Sequence, residues 1–159
     1  MAILTLDQAI AHCRVESDYP ADQLLPYMVA AENYVISHLN RVVFESEQAL
    51  NNALDSLPST LGAAFDAYQT ALGVARQVEN VAQRETMIGV AQIKYHAAQN
   101  AARRTLDGIV INGAIHAAML LTLGNLFVNR EADVVGASVA MLPTGVPELL
   151  RPYRMVQMP

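Results

Sequence analysis

The chain has 159 residues, 53% hydrophobic and only 16% charged, which suits one domain with a real core and excludes a disordered tail. Its net charge of −5 argues against sequence-independent binding to nucleic-acid phosphates. The single cysteine, Cys13, excludes an internal disulfide and a thiolate zinc site.

The first residues lack a basic segment followed by a long apolar run, so no signal peptide is expected. Thr5-Leu6-Asp7-Gln8 has the form of a capping box, which predicts a short helix from Leu6 to about Cys13. A polar connection follows, and Pro20 or Ala21 opens a second helix to about Leu39. Leu24, Leu25, Met28, Ala31, Val35 and Leu39 recur there at helical spacing. Glu32 falls inside that stripe, either as an edge carboxylate that snorkels or pairs, or as a contact to a neighbouring subunit. Asn40 to Glu45 reads as a connection.

Ser46 can cap a short helix over Glu47–Leu57, which Pro58 is expected to stop, and Thr60 can cap the next. In that next helix Leu61, Phe65, Tyr68, Leu72 and Ala75 make one apolar stripe. After a break near Asn80, Val81, Ile88, Tyr95 and Ala102 repeat every seven residues. Two such stripes predict an antiparallel helical hairpin, with one long helix as the alternative. Asp107-Gly108 marks a turn. Ile109–Ile111 is an extended lead-in, and Asn112 caps a helix over Gly113–Val128 that is apolar nearly all round and therefore expected at the centre of the fold. That stretch is broken by His116, Thr122 and Asn125 and is short for a membrane span. Val134–Leu142 has few charges and no helical period and reads as a loop or arm. Pro147 begins a last helical turn through Leu150. The expected fold is all-α, a compact bundle of about five to six helices forming one domain over 1–159.

The residues offer no chemistry of the usual kinds. His12, His38, His96 and His116 stand at no metal-pair spacing, and no serine elbow, phosphate loop or carboxylate dyad is present. No catalytic, cofactor-binding or metal site is therefore expected, and the chain does not read as an enzyme.

Two stretches carry a family resemblance. Ile111-Asn112-Gly113-Ala114-Ile115-His116-Ala117-Ala118-Met119-Leu120-Leu121 runs on to Leu126-Phe127-Val128-Asn129-Arg130-Glu131, and Gly145-Val146-Pro147-Glu148-Leu149-Leu150-Arg151-Pro152-Tyr153-Arg154 follows. With the opening through Ala30-Ala31-Glu32-Asn33-Tyr34-Val35, their order and spacing resemble the phage head–tail connector (adaptor) family, also labelled DNA-packaging proteins. Family members often carry proline where this chain has Gly113. Beside those stretches, 46–106 looks like a helical-hairpin insertion, and 132–159 like a loop and C-terminal arm.

The resemblance implies a structural virion protein of the phage neck, present in the host cytoplasm before assembly. Its implied partners are copies of itself in a ring, typically of twelve subunits, the portal protein, and the next neck or tail-completion protein. Genomic DNA would pass through the ring without specific binding, and no membrane is involved. The alternative is a DNA-packaging accessory that contacts DNA directly. Arg151, Pro152, Tyr153 and Arg154 are the expected contact to portal or a neighbouring subunit, since arginine and tyrosine are enriched where interfaces concentrate energy. Asn129, Arg130 and Glu131 read either as a polar helix end or as an inter-subunit polar cluster.

Overall fold

The computed structural model describes residues 3–129 and 145–156. Their fold is mostly helical and divides into two compact units, Met1–Ser46 with Ile109–Pro159, and Glu47–Gly108.

The first unit holds α1 (Leu6–Cys13), α2 (Ala21–Leu39), α5 (Gly113–Val128) and α6 (Val146–Leu150), with a 3-10 turn at Arg151–Tyr153. Helix α1 starts where its capping box predicts: the Thr5 hydroxyl accepts from the Gln8 amide, and the Gln8 side chain accepts from the Thr5 amide. Asn112 caps α5 by accepting from the amides of Ala114 and Ile115, both at 3.0 Å. Leu24, Met28, Ala31, Val35 and Leu39 of α2 face Ile115, Ala118, Met119 and Leu123 of α5, and Leu150 of α6 joins them. This is the core, and it stabilises the unit because it removes large aliphatic surfaces from water.

Three expectations need correction here. Leu25 is not on the buried stripe of α2; it lies 47% exposed, one step round the helix from fully buried Leu24. Helix α5 is central but not enclosed, because Leu121 and Val128 on its remaining face are 46% and 77% exposed. The connection after α2 contains a two-residue strand, β1 (Val43–Phe44), paired in parallel with β2 (Ile109–Val110).

The second unit is a pair of long helices, α3 (Glu47–Arg76) and α4 (Val81–Leu106), packed along each other. Pro58 does not end the helix it sits in; α3 runs straight through it. Proline removes one amide donor and crowds the preceding turn. Hydroxyls supply donors around it: Ser56 bonds the Ala53 carbonyl at 2.8 Å, and Ser59 and Thr60 both bond the Ser56 carbonyl at 2.9 Å. The break near Asn80 is where it was expected, with Asn80 accepting from the Gln83 amide to cap α4. Tyr95 lies against Tyr68 and Phe65, at ring-centroid distances of 5.2 and 5.8 Å. Only Ala75 of α3 and Ala91 of α4 are buried.

Candidate functional site

The Arg151–Arg154 segment starts from a proline-bearing turn. Gly145 precedes α6, Pro147 sits in its first turn, and Leu150 at its end is fully buried. That anchor delivers Arg151 to Tyr153 onto the C-terminal end of α2. Asn40 terminates α2 in a left-handed conformation, φ 55°, which leaves carbonyls there without helical donors. The Met155 amide donates to the Leu39 carbonyl at 2.9 Å. The Asn40 side-chain amide donates to the Met155 carbonyl, and the Arg41 guanidinium to the Tyr153 carbonyl, both at 3.4 Å.

The segment is thus docked on its own unit through its backbone. Tyr153 is half-buried against the core, so it serves the fold as much as any surface. Arg151, Pro152 and Arg154 remain exposed. The Arg151 side chain, 81% exposed, reaches Glu148 only at 3.7 Å, a pairing that water screens and that holds neither group firmly. What the structure presents is a fixed rim carrying two guanidiniums, suited to carboxylates or phosphates.

Of the expected polar cluster, Asn129 closes α5. Its amide donates to the Asn125 carbonyl at 2.9 Å, and its side chain bonds that of Asn125. Arg130 and Glu131 lie outside the described residues, as does all of 132–144 with the Val134–Leu142 arm. The structure therefore brings Arg151, Pro152, Tyr153 and Arg154 together and says nothing of the cluster beyond Asn129.

Glu32 is neither a snorkelling edge group nor, within this chain, free for a neighbour. It is 7% exposed, and its Oε1 accepts from the amides of Ile3 and Leu4, both at 2.7 Å. The carboxylate ties the N-terminal segment across α2 and seats Leu4 in the core. Nothing in the local sequence signals this, because the two amides lie 29 and 28 residues away.

The sequence also did not reveal an aromatic cluster in which Phe127 of α5 meets Tyr19 and Tyr27 edge-to-face, at 5.9 and 6.1 Å. Nor did it show how closely α1 passes α5. At Gly124 a Cβ would stand 3.0 Å from His12 Nε2. His116 is half-buried, and its Nε2 has no hydrogen-bond partner among the described residues. Burial pushes the Cys13 thiol up, which keeps it protonated and a poor nucleophile near neutral pH. Among the described residues no group of His, Cys, Asp and Glu could hold a metal ion, and no helix is long and apolar enough to cross a membrane.

The chemistry within reach is that of surfaces. Apolar side chains stand exposed on α5 and α2, and the docked C-terminal segment offers the guanidiniums of Arg151 and Arg154. Compared with protein-family models, with characterised proteins and with solved structures, the chain matches none of them.

Proposed function

We propose that the chain is the subunit of a structural ring, a phage head–tail connector that sits beneath the portal, continues the DNA channel and receives the next neck or tail protein. The observation that carries this reading is the open face of α5. A helix apolar nearly all round belongs in an interior, yet Leu121 and Val128 stand in solvent in the single chain. Leu25 and Val29 of α2, 47% and 52% exposed, form a second apolar surface on a different helix. Two unlike apolar surfaces suit a head-to-tail contact, which closes into a ring when the rotation per subunit divides a full turn. The resemblance of 111–131 and 145–154 to connectors supports the same reading and supplies the portal and the neck as partners. Arg151 and Arg154, exposed on a docked segment, are the groups proposed to meet the portal or the neighbouring subunit.

Native mass spectrometry of the purified chain, alone and with portal rings, tests the proposal, with imaging of particle necks beside it. Discrete rings, or stoichiometric capture on portal, are expected. A chain that stays monomeric at high concentration and ignores portal would end the reading. Exposed Arg151 and Arg154 also favour a second reading, an accessory that contacts DNA directly. Salt-dependent retention on DNA, lost in Arg151→Ala/Arg154→Ala, would favour it over the ring.

A further inference from the structure

Helix α2 carries complementary groups at its two ends. At the N-terminal end Tyr19, Asp22, Gln23, Pro26 and Tyr27 line a pocket of about 230 Å³. Small-molecule sites begin at about 300 Å³, so this one has the size for a side chain. Its walls are held in place: both tyrosine rings rest edge-to-face on Phe127, and the Tyr19 hydroxyl donates to Gln23 Oε1 at 3.0 Å. The Asp22 carboxylate is exposed and has no cation partner among the described residues. Every charged residue between Val15 and Ile36 is acidic, and three of them, Glu16, Asp18 and Asp22, face solvent. Tyrosine rings beside an unpaired carboxylate suit a guanidinium, which stacks on the ring and bonds the oxygens. At the C-terminal end of α2 stands such a group. Arg154 is exposed and pairs with no carboxylate among the described residues, whereas Arg151 leans towards Glu148. The backbone on both sides of Arg154 is tied to that end, the Tyr153 carbonyl to Arg41 and the Met155 amide to Leu39. From Leu39 back to Tyr27 and Asp22 the helix rises about 18 and about 26 Å, farther than a side chain reaches. The guanidinium and the pocket of one chain therefore cannot meet.

We propose that Arg154 of one copy of this chain enters the pocket of the next, lying on Tyr19 and Tyr27 and pairing with Asp22. The inference rests on the ring reading and names one contact within its interface. A second copy is the occupant because each chain carries both halves of the pair at separate ends of one helix, the arrangement from which a head-to-tail contact repeats. The surroundings of the two halves match as well. Leu25 and Val29, exposed and three residues on from Asp22 and Pro26, extend the pocket into the apolar surface of α2. Beside Arg154 the docked segment exposes Pro152 and Val156, the latter 75%. An arginine among aromatic and aliphatic groups, seated against a carboxylate, is the kind of contact in which interface energy concentrates.

The test exchanges the charges in the full-length chain and follows assembly, alone and on portal rings, by native mass spectrometry. Asp22→Arg and Arg154→Glu each set like charges against one another at every contact. Each is expected to raise the midpoint concentration of assembly at least tenfold, with an unchanged helical circular dichroism spectrum. The double variant Asp22→Arg/Arg154→Glu restores opposite charges and is expected to recover assembly. So is an equal mixture of the two single variants, in which every mixed contact is again an opposite pair. Asp7→Arg, the same charge change in the first turn of α1, is expected to assemble normally. Single variants that assemble normally, or a loss that neither the double variant nor the mixture repairs, would overturn the contact and leave the ring standing. An equal loss with Asp7→Arg would assign the effect to net charge and overturn it too. Absence of any assembly by the unaltered chain, with or without portal, would remove both readings.

Discussion

The two units of this molecule invest helix very differently. The hairpin is made of the two longest helices, 30 and 26 residues, and buries only Ala75 and Ala91. The other unit works with helices of 8, 19 and 16 residues and buries a cluster that runs from Leu4 to Leu150. The difference lies in the number of neighbours. Helix α5 is approached by α1, α2 and α6, so several of its sides leave water at once. Each hairpin helix packs along one partner and can bury only a stripe. Helix length supplies backbone hydrogen bonds, but a core requires neighbours from several directions.

That contrast can be broken most forcefully in the core. Leu123→Ala, at a fully buried position, is expected to lower the unfolding free energy by about 2–5 kcal/mol, read by urea denaturation. Segment-resolved hydrogen exchange should show the loss in 109–129 before it appears in 47–106. Equal deprotection of both units would show that they do not differ in this way. The hairpin should respond in the opposite sense to Pro58→Ala. Restoring an amide donor in the interior of α3 is expected to stabilise it by up to about 3 kcal/mol and slow exchange around Leu54. Slower exchange in the other unit instead would contradict it.

Glu32→Leu strands the Ile3 and Leu4 amides next to the core and is expected to cost about 2 kcal/mol. Glu32→Gln, which keeps an acceptor oxygen, should cost less, and equal costs would mean that the amides find other partners. In the hairpin, Tyr95→Ala removes the stack on Tyr68 and the contact with Phe65, for a loss of about 1 kcal/mol in thermal unfolding. The smallest effect belongs to Arg151→Ala. Its exposed pairing with Glu148 is worth no more than about 0.5 kcal/mol, so folding should be untouched and any change should appear in portal or subunit binding.

The parts of the fold written locally were legible. Thr5 with Gln8 and Asn112 marked two helix starts, because a cap and the amides it serves lie within three residues of each other. The hairpin was legible for the same reason, its stripes being short-range and periodic. What escaped was set by distant residues. The β1–β2 pairing joins Val43 to Ile109, and Glu32 serves amides at the far end of the chain segment, so neither leaves a local pattern. Pro58 was expected to stop its helix, but one missing amide and one crowded turn cost less than the hydrogen bonds of a 30-residue helix, a balance that no local pattern states. The run of apolar residues in α5 announced burial, but hydrophobicity does not state whether the cover comes from the same chain. Of the candidate site, the exposed guanidiniums of Arg151 and Arg154 could be expected from a charged, proline-bearing segment. The bonds that hold it to Leu39, Asn40 and Arg41 could not, since they span more than a hundred residues.

The small parallel pairing of Val43–Phe44 with Ile109–Val110 has a consequence for how such a protein can change. It brings the point where the chain leaves for α3 beside the point where it returns from α4. The excursion between is out and back, about 45 Å one way and about 39 Å the other. It works as a detachable cassette: turns can be added or removed in matched pairs without shifting the register of anything outside it. A shorter loop closing the same gap alters the closure entropy only slowly with length. The length of the hairpin can thus change while the helices outside it keep their register.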